Sequence, residues 1–225
     1  ERRNTVSSFG LIGGINNSNI RGQDVEETES RTGFYLGMFL TRKYLGVKWL
    51  PELVFQQRGM TKSVEGFFDV SNVLEKLQAN YITLGLNASF EIADIEFAVG
   101  PCVSYAVTGE SIVWGFSKNG NISTENILIK DDELFNRTEF GGKLGMSYFV
   151  NNHFQICVDY EISLTPIYRD KDQETSSGLS PAESGDDPIL TPLIHANSMS
   201  AFHDPEGKFY YSVLKFGFRY RLGEK

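Results

Sequence analysis

The sequence predicts an all-β protein: an eight-stranded antiparallel up-and-down β-barrel that crosses a membrane through its strands. Three observations predict it. Apolar and polar side chains alternate along eight segments, and short and long connections join these segments in turn. Glycine and aromatics are also plentiful, with 22 Gly, 17 Phe and 10 Tyr in 225 residues against 4 Met and 2 Cys. A period of two marks a strand with two unlike faces, and aromatics with glycine favour strands and tight turns. No uninterrupted apolar run approaches the ~18 residues of a membrane helix, so a crossing has to be made by strands.

The strands are legible one by one. The opening segment 8–16 sets Phe9, Leu11 and Ile15 against Ser8, Gly10, Gly14 and Asn16. Segment 33–42 places Phe34, Leu36, Met38 and Leu40 on one face, and 47–58 separates Val47, Trp49, Leu53 and Phe55 from Lys48, Glu52, Gln56 and Arg58. Segment 80–90 sets Ile82, Leu84, Leu86, Ala88 and Phe90 against Tyr81, Thr83, Gly85, Asn87 and Ser89. In 95–107, Ile95, Phe97, Val99, Val103, Tyr105 and Val107 oppose Glu96, Ala98, Gly100, Cys102 and Ser104. Segments 139–150, 154–164 and 209–222 repeat the pattern, most cleanly in 154–164, where Phe154, Ile156, Val158, Tyr160, Ile162 and Leu164 face away from Gln155, Cys157, Asp159, Glu161 and Ser163.

Connections near 41–46, 91–94 and 151–153 are short, whereas 17–32, 59–79, 108–138 and 165–208 are long. Strict alternation gathers all short turns at one end of the sheet and all long loops at the other, the layout of outer-membrane barrels with short periplasmic turns and long extracellular loops. Eleven residues at a tilt of ~45° cover about 25 Å, the height of an outer-membrane apolar band.

A soluble lipid-binding barrel alternates in the same way but turns its apolar face inward. Glycines on the polar face (Gly10, Gly37, Gly85, Gly100, Gly145, Gly217) suit a cramped barrel interior better than a solvated surface. Aromatics near the strand ends of the apolar face form two girdles: Trp49, Phe90, Phe97, Tyr148, Phe154 and Tyr220 at the short turns, Phe34, Phe55, Tyr105, Phe140 and Tyr210 toward the loops. The membrane reading, with the bacterial outer membrane as location, is therefore preferred. Glu1-Arg2-Arg3 opens on polar sequence, which fits a cytosolic chain or one whose signal has been removed. The net charge of -8, from 29 acids and 21 bases, argues against a nucleic-acid partner.

Several segments resemble one family. Ser8-Phe9-Gly10-Leu11-Ile12-Gly13-Gly14-Ile15-Asn16 is similar to the "GLKGGxN" first strand of the PorT-like outer-membrane β-barrel family of Bacteroidetes. Pro51-Glu52-Leu53-Val54-Phe55 with Arg58-Gly59 resembles its "PELxFxxKG" strand, Ala98-Val99-Gly100-Pro101 its "xxGPxxxY" strand, and Phe216-Gly217-Phe218-Arg219-Tyr220-Arg221-Leu222 its last strand. The resemblance implies an outer-membrane location, a cleaved signal and, through the family's namesake, a link to secretion.

On the inward parity, Glu52, Glu96, Glu139, Asp159 and Glu161 meet Arg58, Lys143, Lys215, Arg219 and Arg221. Charges enclosed by a low-dielectric wall have to be paired, and an eight-stranded barrel is just wide enough for side chains to fill. These ten residues are expected to form a structural salt-bridged plug, with Lys143 placed opposite Glu161 by the short turn at 151–153 and ion-paired to it. Catalytic, metal and cofactor sites are not indicated. His195 and His203 near Asp186, Asp187 and Asp204 match no ligand spacing. Cys102 and Cys157 share no zinc or CxxC spacing and read as small buried fillers.

Partner contacts then fall to the loops. Asn119-Gly120 between Ile112-Val113-Trp114-Gly115-Phe116 and Ile127-Leu128-Ile129 signals a hairpin beyond the membrane that exposes Trp114 and Phe116. In the acidic loop 169–207, Ile189, Leu190, Leu193 and Ile194 form an apolar patch that needs a covering surface. The expected function is non-enzymatic: a structural or accessory subunit of an envelope secretion, transport or assembly machine. Its partners would be outer-membrane lipid and other outer-membrane or periplasmic proteins. The alternatives are a lipid-modifying enzyme, which needs Ser, His and a carboxylate on the lipid-facing rim, and the soluble lipid-binding barrel.

Overall fold

Every alternating segment forms a strand in the computed structural model, which describes residues 7–22, 28–44, 46–65, 70–117, 122–128, 135–167 and 209–224. In chain order the strands are β1 (Ser7–Arg21), β2 (Thr28–Tyr44), β3 (Val47–Glu65), β4 (Val70–Ile92), β5 (Ile95–Ser117), β6 (Ile122–Leu128), β7 (Thr138–Phe149), β8 (Phe154–Ser163) and β9 (Tyr210–Glu224). Among the described residues there is no helix. Each strand is antiparallel to its neighbours. β1 pairs with both β2 and β9, and β5 pairs with both β4 and β7, so eight strands close into a barrel and β6 is left as a ninth on the flank of β5. Closure removes the open edges that a bilayer does not tolerate.

The apolar face points outward. Leu36, Leu84 and Leu144 are 60%, 58% and 60% exposed, whereas Glu52 and Asp159 are 3% and 0% exposed. A surface this apolar is stable only against lipid, and the inward-facing alternative of a soluble lipid-binding barrel is thereby overturned. Girdle aromatics pack against each other on this surface. Phe90 stacks on Phe97 at 5.3 Å and Phe154 on Phe218 at 6.0 Å near the short turns, and Phe34 meets Phe55 at 6.0 Å toward the loops.

The strands run further than the alternation predicts. β3 and β4 stay paired from Lys48↔Ser89 to Glu65↔Asn72, and β4 and β5 from Ile92↔Ile95 to Val70↔Ser117. Much of the expected loops 59–79 and 108–138 is therefore sheet. Outside the membrane, backbone pairing satisfies N–H and C=O groups without requiring an apolar face, so the period-two signal fades while the strand continues. The expected hairpin around 112–127 is present as β5–β6, paired from Phe116↔Ile122 to Glu110↔Leu128. Its Asn119-Gly120 turn lies outside the described residues, as do the side chains of Trp114 and Phe116.

At the other end the connections are tight. Gly46 turns β2 into β3 at φ 81°, and Ala93 takes φ 53° in the two-residue turn between β4 and β5. Left-handed backbone costs glycine nothing, whereas at Ala93 it is held by the closed β4–β5 hairpin.

Inside, aromatic rings occupy space that glycines leave free. A Cβ at Gly10 would lie 2.5 Å from the Phe39 ring, and one at Gly217 would strike the Tyr35 hydroxyl and the Gly13 carbonyl. Because Gly217 has no room for a side chain, Gly217→Val should lower unfolding free energy by about 1–3 kcal/mol through overpacking. Urea titration of the detergent-folded protein measures this, and an unchanged midpoint would contradict the close approach of β1, β2 and β9.

Candidate functional site: the barrel interior

Strand parity sends one face of β3, β7, β8 and β9 into the lumen, and these faces carry most of the chain's enclosed charge. The structure places all ten sequence-derived residues there, each 9% exposed or less: Glu52, Arg58, Glu96, Glu139, Lys143, Asp159, Glu161, Lys215, Arg219 and Arg221. They form three groups.

In the first, Glu52 of β3 bridges the lumen. One carboxylate oxygen accepts from Lys143 of β7 at 2.5 Å, and the other from Arg219 of β9 at 3.0 Å. Asp159 of β8 completes the group, 3.1 Å from Lys143 and 3.4 Å from Arg219. In the second, Arg58 donates to Glu139 at 2.9 Å, to Glu161 at 3.1 Å and to the Ser104 hydroxyl at 2.9 Å. Lys215 donates to the remaining Glu161 oxygen, and the Gln56 amide reaches Glu161 at 3.2 Å. The third sits toward the short turns, where Glu96 accepts from Lys48 at 2.6 Å, from Ser89 at 2.9 Å and from Gln155 at 3.2 Å, with Arg221 at 3.9 Å.

One expectation needs correction. Lys143 does lie opposite Glu161 in register, but its ammonium goes to Glu52 and Asp159. Two features explain this. Arg58 and Lys215 hold the two Glu161 oxygens, and Gly145, opposite Asp159, has no side chain to block the diagonal. Cross-lumen reach therefore decides the partner where register alone suggests the nearest neighbour.

Reading the sequence by charge also misses the aromatic half of the interior. Ile12, Tyr35, Phe39, Leu50, Val54 and Ala98 form a buried cluster mostly on β1–β3. Lys215 lies 5.3 Å from the Tyr35 ring centre and Arg219 6.0 Å from that of Phe39. Toward the loops, Met60, Leu77, Tyr81, Phe135, Ile167 and Tyr211 belong to a second cluster, with Arg58 4.7 Å from the Tyr81 ring centre. Lys48 is missed too, although it shares its parity with Glu52 and Arg58, and its second partner is Glu91. The signal for these residues was inward parity, whatever the residue type.

The space left beside Arg58, Cys102, Ser104, Glu139 and Glu161 is a cavity of about 10 Å³, room for a single water. Cys102 and Cys157 are both buried free thiols. Among the described residues, no three His, Cys, Asp or Glu side chains are grouped to hold a metal ion. His153 is exposed in the β7–β8 turn, its Nδ1 3.3 Å from the Arg221 carbonyl. His195, His203 and their neighbouring acids lie outside the described residues, as do Ile189, Leu190, Leu193 and Ile194.

A closed barrel with lipid-facing aromatics and an ion-paired interior describes an architecture, and the sequence agrees with it. Residues 3–169 match the family described as outer membrane protein beta-barrel domain. The chain belongs to that family. Its location is the bacterial outer membrane. No curated protein matches the sequence. Solved structures similar to this family member include Neisserial surface protein A, at 10% identity and TM-score 0.44, covering 95% of this chain and 97% of that one. Ail, the attachment invasion locus protein of Yersinia pestis, is similar at 12% identity and TM-score 0.42, covering 97% and 99%. OprG from Pseudomonas aeruginosa is similar at 15% identity and TM-score 0.47, covering 97% of both chains.

Removing a partner from the network leaves buried charge unmatched. Glu161→Leu, which strands Lys215 and leaves Arg58 with Glu139 as its carboxylate, should destabilise the barrel by about 3–5 kcal/mol. Adding Lys215→Met to it should recover part of that loss, because the two residues are coupled. The melting temperatures of the two detergent-folded variants test this, and a Glu161→Leu protein melting like the parent would contradict the pairing.

Proposed function

We propose that this outer-membrane barrel is a non-enzymatic structural or accessory subunit of an envelope secretion, transport or assembly machine, of the PorT-like kind. It works through its outer surface and its extracellular strands. The observation that carries the reading is the filled interior. Glu52 is held by Lys143 and Arg219, Glu161 by Lys215 and Arg58, and the space beside Arg58 and Glu161 is the size of one water. Carboxylates committed in this way are poorly placed to act as acid or base, and a lumen so occupied is a poor conduit. The working surface is then what faces lipid, periplasm and the outside.

The extended sheet supports the same reading. β3, β4 and β5 continue well past the barrel pairing of β7 and β8, which ends at Gly141↔Ser163, and β6 widens the extension. Such a platform presents backbone and side chains to partners at a fixed distance from the membrane. The apolar patch Ile189-Leu190 to Leu193-Ile194 of the sequence is a second candidate contact.

The lipid-modifying alternative needs Ser, His and a carboxylate together on the lipid-facing rim. Of the three histidines, His153 sits at the short-turn end, with Tyr220 as its ring neighbour at 6.3 Å.

The test is purification from native membranes in mild detergent, through a tag in loop 169–207, with sizing and mass spectrometry of what accompanies the barrel. A stoichiometric envelope partner in a larger particle is the expected result. A lone barrel that also shows stepwise conductance in planar bilayers would overturn the proposal.

A further inference from the structure

The lipid-facing row of β2 runs Phe34, Leu36, Met38 and Leu40, each between 44% and 60% exposed. The next residue in that row is Arg42, also exposed. A charged side chain on this face costs ~2–4 kcal/mol at the bilayer midplane and almost nothing at the interface, so the position of Arg42 along the strand matters. It lies two residues from the end of β2, beside the Gly46 turn.

Its neighbours are those of a headgroup site. Arg42 is paired in register with Trp49 of β3, and Tyr44, 51% exposed, follows in the same row. Lys43 between them, though exposed, has the inward parity of its register partner Lys48 and lies on the other face of the strand. Elsewhere the lipid-facing residues at this end are aliphatic or aromatic, among them Phe90, Ile92, Tyr148, Val150, Tyr220 and Leu222. Arg42 is thus a single positive charge in an otherwise apolar girdle.

The nearby acids do not neutralise it. Lys48, opposite Lys43, takes both Glu91 and Glu96. Among the described residues, neither the Arg42 nor the Lys43 side chain has a hydrogen-bond or ion-pair partner. An unpaired guanidinium at the edge of an apolar band, flanked by an indole and a phenol, calls for an anion at headgroup depth. Its planar fork fits the oxygens of a phosphodiester.

We propose that Arg42 and Trp49 form a binding site for the phosphate headgroup of an anionic glycerophospholipid in the periplasmic leaflet. The guanidinium engages the phosphate, and the Trp49 indole packs beside the glycerol region. Such a site fixes which wall of the barrel carries a bound lipid, and so the face it turns toward a neighbour.

Trp49 reports on its own site. The chain has two tryptophans, so Trp114→Phe leaves Trp49 as the only one. This variant is reconstituted into phosphatidylcholine bilayers containing brominated phosphatidylglycerol or, at equal mole fraction, brominated phosphatidylcholine. The brominated anionic lipid should quench Trp49 as though its local mole fraction were raised about fivefold, an advantage reduced by salt. Arg42→Gln, at an exposed position, should bring quenching down to the phosphatidylcholine level while the heat-modifiable migration of the folded barrel is kept. Equal quenching by the two lipids, or an anionic preference that survives in the Arg42→Gln variant, would overturn the proposal.

Discussion

A membrane barrel of eight strands has to send one face of every strand into a space barely wide enough for side chains, and any charge placed there has to find its counter-charge inside. In this protein that constraint is met across the lumen. β3 supplies Glu52 and Arg58, and the opposite wall of β7, β8 and β9 supplies Lys143, Glu139, Asp159, Glu161, Lys215 and Arg219. The ion pairs of Glu52 and Arg58 therefore join strands that share no backbone hydrogen bonds. Backbone ladders close the barrel around its circumference, and the charges tie it across its diameter.

Other features follow from this arrangement. Tyr35 and Phe39 place rings under Lys215 and Arg219, which gives the cations a polarisable surface where water is excluded. Glycines at 10 and 217 make room for those rings. The loop-side cluster containing Met60, Leu77, Tyr81 and Tyr211 lies on Arg58 and shields the second charge group. With the interior occupied in this way, recognition passes to the outside: lipid along the barrel wall, partners along the extended β3–β6 sheet.

Much of this was legible in the sequence, and the limits have physical causes. Parity named the lipid-facing and inward-facing residues because the bilayer enforces it on every residue of the apolar band. The register of β7 on β8 was readable because a short turn fixes it, and Lys143↔Glu161 is its result. The partner of Lys143 was not readable, since Glu52 is 91 residues away and reaches it only once the barrel has closed. The continuation of β3, β4 and β5 was hidden for a different reason: beyond the membrane no phase constrains which face is apolar. Tyr81 and Tyr211 were passed over because an inward aromatic carries no charge to attract notice, although both line the site of Arg58.

The most direct test is a double-mutant cycle between Glu52 and Arg219, using Glu52→Gln and Arg219→Met with reversible urea unfolding in lipid. These residues face each other at 3.0 Å from strands on different walls. A cross-lumen network predicts a coupling energy of about 1–3 kcal/mol between the two substitutions. Additivity within ~0.3 kcal/mol would mean that the charges are enclosed without holding the barrel together, and would contradict the account.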